Sequence, residues 1–293
     1  MIFRVILPFL VLGFFSCRAQ VPATSELPDL SVATAAELQE LLAWAPGKAP
    51  IISAHRGGPV SGYPENCMAT FERTLTIAPA MLEMDVAMTR DSVLILMHDA
   101  SLDRTTNGTG KVDSRTWEEI RGLKLKDNDG QLTEYAIPTL EEALAQLKGR
   151  CLLSLDVKRG VPFDRVVRLV RAAGAEGSVV VITYSAKDAK TVYELAPELM
   201  LSVSIRNAEE LEWMRQTGIP WRNMVAFTGT SLKDAQFYDQ LHQLGISCIL
   251  GTLGNLDNSA AARGDQLYSQ WRQLGADIFA TDRPEAVGRQ LYQ

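Results

Sequence analysis

Ile51-Ile52-Ser53-Ala54-His55-Arg56-Gly57-Gly58 opens the ordered pattern of this chain. Two β-branched residues start a strand, and the strand runs out on an imidazole, a guanidinium and paired glycines, so charged chemistry stands at its end. Downstream of it, short apolar runs at residues 82–86, 152–157, 179–183, 200–205, 224–227, 246–250 and 277–280 read as further strands, with 51–55 as the first. Amphipathic stretches separate them. Met68, Phe71 and Leu75 share one helical face, Leu140, Leu144 and Leu147 do so behind a Thr139/Glu142 capping box, and Phe237, Leu241 and Leu244 repeat the spacing. Pro284 at a first helical turn opens the last helix. Strands each followed by a helix predict an α/β fold, a parallel (β/α)8 TIM barrel, whose site belongs at the C-terminal strand ends.

One interval breaks the regularity. The run 93–98 follows 82–87 after only Met88-Thr89-Arg90-Asp91-Ser92, too short for the crossover that a parallel neighbour needs. A hairpin is expected instead, and a turn centred near Arg90 and Asp91 sets Glu83 opposite His98. Residues 99–138, rich in Thr, Asn, Gly and Asp with one helix near 116–121, then form a small insertion that walls one side of the mouth.

The 293-residue chain has a formal net charge of −6, which argues against gripping nucleic acid, because that rests on Lys and Arg displacing phosphate counterions. Any bound anion needs a local cluster or a metal. Residues 1–20 predict an export signal: Arg4 precedes an apolar stretch at 5–15 that is too short to cross about 30 Å of hydrocarbon. Phe14-Phe15-Ser16-Cys17 is similar to a bacterial lipobox, so Cys17 is expected to be lipidated and to tether the chain to a membrane. A cut after Ala19 would instead release a soluble protein, and an uncut segment would remain as an anchor. The expected location is therefore exported: a periplasmic or cell-envelope lipoprotein, alternatively secreted and soluble. Residues 21–48 read as tether and leading helix, and 49–293 as the barrel domain. Cys67, Cys151 and Cys248 are odd in number and widely spaced, which suggests neither a disulfide framework nor a zinc site. Nothing in the sequence sets an oligomeric state.

Of three histidines, His55 and His98 stand at strand ends beside carboxylates, and a pair of imidazoles across a pocket can serve as general base and general acid. His242 falls inside an amphipathic helix pattern and reads as structural. Glu83 and Asp85 have the same strand parity, so they face one side about 7 Å apart and repel unless a cation or basic groups lie between them. Asp156 and Lys158 repeat the parity on the next parallel strand, the acid completing a carboxylate set and the lysine offering a point charge to a phosphate. Each acid alone reads equally as a solvated strand-end charge, whereas an all-oxygen ligand set favours Mg2+ or Ca2+ over zinc. Arg56 offers a planar fork to phosphate oxygens. Glu65 is expected where a helix begins, orienting Arg56 or the metal, with Asn66 as that helix's cap. The stretch 102–108 reads as a polar turn that orients the His98 loop.

Taken in order, His55-Arg56-Gly57, Pro64-Glu65-Asn66, Glu83-Met84-Asp85-Val86, His98-Asp99, Leu102-Asp103-Arg104-Thr105-Thr106 and Thr281-Asp282-Arg283-Pro284 resemble the glycerophosphodiester phosphodiesterase family across residues 50–290. The resemblance implies a distorted TIM barrel with a small insertion after the His98 strand, a divalent cation, and hydrolysis of glycerophosphodiesters to sn-glycerol 3-phosphate and an alcohol. It implies His55 and His98 as the acid/base pair, Glu83, Asp85 and the Asp156 position as metal ligands, and Arg56, Glu65 and Lys158 around the phosphate. Three positions depart from the family pattern: Asp156 stands where Glu is common, Cys67 where Thr is common, and the segment 250–255 lacks the usual aromatic residue after the seventh strand. A lysophospholipase D activity on lysolipids and a non-catalytic lipoprotein that binds glycerophosphodiesters are the alternative readings.

Overall fold

Runs of Val, Ile and Leu form strands where a sheet buries them on both faces. Those of this chain become β1 (Ile51–Ala54), β2 (Ala80–Met88), β3 (Leu94–Leu96), β6 (Leu152–Val157), β7 (Val179–Thr183), β8 (Met200–Ser204), β9 (Met224–Phe227), β10 (Cys248–Gly251) and β11 (Ile278–Thr281), while β4 (Lys124–Lys126) and β5 (Leu132–Ala136) are short, more polar strands that pair only with each other. The helices are α1 (Ala35–Leu42), α2 (Met68–Ile77), α3 (Trp117–Ile120), α4 (Leu140–Leu147), α5 (Phe163–Ala173), α6 (Ala186–Leu195), α7 (Ala208–Gln216), α8 (Ala235–Gln243), α9 (Asn255–Arg263), α10 (Gln266–Leu274) and α11 (Pro284–Leu291). The computed structural model describes residues 27–292. The export signal, Cys17 and all but the end of the expected tether lie outside the described residues.

β1, β2 and β6 to β11 close into a ring of parallel strands, since β1 pairs with β11 on one side and β2 on the other. This is the expected TIM barrel, with β3 added antiparallel at the β2 edge. Outward residues such as Ile52, Leu82, Leu153 and Val181 pack under the helices. Leu30, Leu38 and Leu42 plug the lower mouth against the first inward residues of the strands, from Ile51 and Met81 round to Ile249 and Ile278. Cys67, Cys151 and Cys248 are free and buried.

Several expectations are corrected in detail. The first strand stops at Ala54, and His55 starts a single 3-10 turn, His55–Gly57. The β2–β3 hairpin centres on Asp91, whose carboxylate accepts from the Thr89 hydroxyl at 2.6 Å and the Trp117 N–H at 2.9 Å, while Ser92 takes a φ of 70°. That shifts the register by one residue: Val86 faces Leu96, and the Met97 N–H donates to the Asp85 carbonyl, so Glu83 does not lie opposite His98. The insertion holds the expected helix, α3, behind a Thr116/Glu119 capping box. It also holds the β4–β5 hairpin, which periodicity did not reveal because its strands are short and β5 is mostly exposed. Its own apolar cluster of Ile95, Met97, Leu102, Val112, Ile120 and Leu125 fixes it to the β3 side of the barrel.

Candidate active site

The turn after β1 organises the rim. Arg56 adopts φ 51° there, a left-handed conformation that costs a non-glycine residue on the order of 1 kcal/mol. In that pose its N–H donates to Glu83 Oε2 at 2.6 Å and its carbonyl accepts from the Asn66 N–H at 3.0 Å. Gly57, at φ +85°, passes so close to Phe71 that a Cβ there would stand 2.4 Å from the ring. The strand end is thereby locked to the 64–66 segment and to β2.

Glu83 and Asp85 project inward from β2, and Asp85 sits beside Asp156 in the β2–β6 register. All three are buried, and oxygen atoms of the three carboxylates lie within 4.8 Å of one another. Lys158 Nζ spans two of them, 2.5 Å from Asp85 Oδ1 and 2.6 Å from Asp156 Oδ2. The sequence assigned Lys158 to a phosphate; its position also makes it the counter-charge of the acids. Asn66 is not a helix cap: α2 begins at Met68 after Cys67, with no side-chain capping bond. Its amide instead brackets Asp85, Nδ2 donating to Oδ2 at 2.6 Å and Oδ1 accepting from the Asp85 N–H at 2.9 Å. The Tyr184 hydroxyl donates to Asp156 Oδ1 at 2.9 Å.

Burial, with Asp85 alongside, pushes the Glu83 carboxyl well above the ordinary range. Burial opposes ionisation of Asp85 too, but Lys158 and Asn66 outweigh it and hold that carboxylate below its usual value. A buried trio in which burial and a neighbouring acid both disfavour the charge of one member is a donor set that fits a hard divalent cation, which takes carboxylate oxygen and relieves their repulsion. Arg56 Nε, buried without a hydrogen-bond partner and 3.7 Å from Asp85 Oδ2, adds an unsatisfied donor at the same place.

Both histidines are tied through Nδ1, leaving Nε2 for proton exchange. His55 Nδ1 lies 2.7 Å from Asp282 Oδ1. Asp282 is held in turn by buried Asp257, which accepts from the Asp282 N–H at 2.8 Å and from the Thr281 hydroxyl. His98 Nδ1 lies 2.7 Å from Asp99 Oδ1. Arg104 grips Asp99 through Nε and Nη2 at 2.7 and 2.8 Å, and Glu65 through Nη1 and Nη2 at 2.9 and 2.7 Å. Glu65 also accepts from Arg56 Nη1 at 3.0 Å, in a turn before α2 rather than at the helix start. Burial would raise the Glu65 carboxyl, yet Arg104 and Arg56 hold it low; Arg104 does the same for Asp99.

The structure thus brings all eight sequence candidates to one rim, His55, Arg56, Glu65, Glu83, Asp85, His98, Asp156 and Lys158. Asn66, Arg104, Tyr184, Asp257 and Asp282 join them. Strand parity could have found two: Asp282 continues Ile278 and Ala280, and Tyr184 continues Val180 and Ile182. Asp257, on a helix distant in sequence, carried no such signal.

Burial would lower the His55 imidazole, but the Asp282 hydrogen bond and the Glu83 carboxylate reverse this and raise it. Asp282→Asn is therefore expected to move the limb of the pH–rate profile set by His55 to lower pH. If that is the acidic limb His55 is the base, and if the alkaline limb, the acid. A profile that does not move would disconnect Asp282 from His55.

The model of the glycerophosphoryl diester phosphodiesterase family matches residues 55–286. The solved structure of a glycerophosphoryl diester phosphodiesterase from Parabacteroides distasonis is 37% identical with a TM-score of 0.84, over 89% of this chain and 92% of that one. A glycerophosphodiester phosphodiesterase from Caldanaerobacter subterraneus is 29% identical over 160 residues, 52% of this chain and 65% of that protein. Glycerophosphodiester phosphodiesterase 1 from Bos taurus is 38% identical over 109 residues, 36% of this chain and 33% of that protein. The matched part thus spans between 33% and 65% of these curated relatives' length.

Proposed function

The chain belongs to the glycerophosphoryl diester phosphodiesterase family, and on that premise we propose that it hydrolyses glycerophosphodiesters to sn-glycerol 3-phosphate and an alcohol. The observation that carries the proposal is the buried Glu83–Asp85–Asp156 trio with His55 and His98 standing over it at the same barrel rim.

Glu83, Asp85 and Asp156 are the residues that would hold Mg2+ or Ca2+. When bound, the cation supplies positive charge to phosphate oxygens as the transition state forms. The remaining work falls to the protein. Arg56, with a free Nε, and Lys158 flank the phosphate position and orient it, while Glu65 and Arg104 keep the Arg56 fork in place. One imidazole takes the proton of the attacking oxygen through Nε2, and the other returns a proton to the departing alkoxide. Asp282 and Asp99 fix both rings and stabilise whichever becomes charged.

The leader in residues 1–20 supports an exported protein, tethered through Cys17 or released after Ala19. The test is incubation of the purified protein with glycerophosphocholine and lysophosphatidylcholine. Release of sn-glycerol 3-phosphate from the first supports the proposal; choline released from the second alone would make the protein a lysophospholipase D.

A further inference from the structure

A second cluster of metal-binding side chains stands at the foot of the barrel, the end opposite the rim. Cys248 opens β10, Asp277 precedes β11, and His242 lies in the last turn of α8. One donor atom from each of the three lies within 4.8 Å of the others. Asp277 Oδ2 ties the set together, accepting from the Cys248 N–H at 2.7 Å and lying 2.9 Å from His242 Nε2. Trp44 stacks on the imidazole at 4.4 Å and fixes its plane. Cys248 is fully buried, and among the described residues the one hydrogen-bonding contact of its thiol is the Ile246 carbonyl, at 4.0 Å. Spacing along the chain hides this trio, because Cys248 and Asp277 stand 29 residues apart and meet only when β10 pairs with β11.

A thiol, an imidazole and a carboxylate make a mixed sulfur, nitrogen and oxygen set, which suits zinc rather than the hard Mg2+ or Ca2+ that an all-carboxylate trio takes. We infer that Cys248, His242 and Asp277 form a zinc site at the foot of the barrel, apart from the catalytic rim. A tetrahedral zinc holds such donors about 3.5 Å from one another, so the ion draws in a set that is already assembled. Burial, with Asp277 nearby, pushes the Cys248 thiol well up, so its proton leaves only for an ion that binds sulfur strongly. That proton passes to solvent, and the imidazole binds through Nε2 in the tautomer protonated on Nδ1. Zinc with one thiolate and one carboxylate is then neutral. His242 and Asp277 line a groove of about 780 Å3, from which water can take the fourth position. The two cations of that groove are engaged elsewhere: Lys48 Nζ donates to the carbonyls of Glu40, Leu41 and Ala43, and Arg272 Nη2 to the Lys48 carbonyl. The ion clamps α8 to β10 and β11, so its effect is on the stability of the fold.

The test uses the full chain in reductant, with Mg2+ in excess so that the rim trio is occupied, and Co2+ as a spectroscopic probe for zinc. Co2+ is expected to give a near-ultraviolet thiolate-to-metal band in wild type that Cys248→Ala and Cys248→Ser both lose, and that Zn2+ removes by displacing the probe. Asp277→Asn is expected to weaken Co2+ binding, read from the same band, about tenfold or more. Zn2+ is expected to raise the melting temperature of wild type by about 5 °C more than that of Cys248→Ala. Folded wild type that shows no thiolate band with Co2+ would overturn the site. So would a band that persists in both Cys248 variants, which would place it on another cysteine, or a melting temperature that Zn2+ raises equally in Cys248→Ala and wild type.

Discussion

His98→Ala is expected to lower kcat by about 10²–10⁴-fold, and His55→Ala by a similar factor, with KM changing far less. Both rings stand at the rim rather than in the core, with side chains 35% and 24% exposed, so alanine leaves little cavity and the barrel keeps its melting temperature. What is lost is a nitrogen whose orientation the protein has fixed. On the His98 side, the Asp99 carboxylate sets the ring and Arg104 sets Asp99, a guanidinium shared with buried Glu65. On the His55 side, Asp282 sets the ring and Asp257 sets Asp282. Steady-state kinetics on glycerophosphocholine read the effect. A variant within a few-fold of wild type would take its histidine out of proton transfer.

Glu83→Gln is expected to reduce turnover by about 10³-fold, because it removes the negative charge of one of three carboxylates from a site asked for several kcal/mol of charge stabilisation. Loss of folding would mimic this, and the pKa of Glu83 separates the two. Burial and the neighbouring Asp85 raise the Glu83 carboxyl in the folded chain above its unfolded value. A carboxyl raised in this way favours the fold while protonated, and that contribution is lost as pH rises through the folded-state value. Without a cation at alkaline pH, wild-type protein therefore carries an unfavourable buried charge that the glutamine variant does not. Melting temperatures in chelator are expected to be higher for Glu83→Gln than for wild type under alkaline conditions, while its activity with added Mg2+ or Ca2+ stays low. A variant that is both inactive and less stable in alkaline chelator would mean that Glu83 is a structural acid.

The barrel was legible because its strands are short, mostly apolar runs and its helices amphipathic, so each element declared its period. Glu83, Asp85 and Asp156 were legible because strand parity alone puts them on the inner face. The hairpin register was not, because it depends on where Asp91 finds donors, and one of these is the N–H of Trp117 far along the chain. Asn66 was misread for a related reason. Its sequence context suits a helix cap, and only the approach of β2 gives its amide a better partner in Asp85. Arg104 was placed correctly in a turn that orients the His98 loop, but its second grip, on Glu65, spans a separation that no local pattern encodes.

The most direct test of the account is the rate at which purified, chelator-treated protein releases sn-glycerol 3-phosphate from glycerophosphocholine before and after Mg2+ or Ca2+ is restored. Negligible release that returns with the cation is the predicted result. Release at full rate in chelator, or none with the cation restored to folded protein, would contradict the claim that the acidic trio and the two imidazoles form a single hydrolytic site.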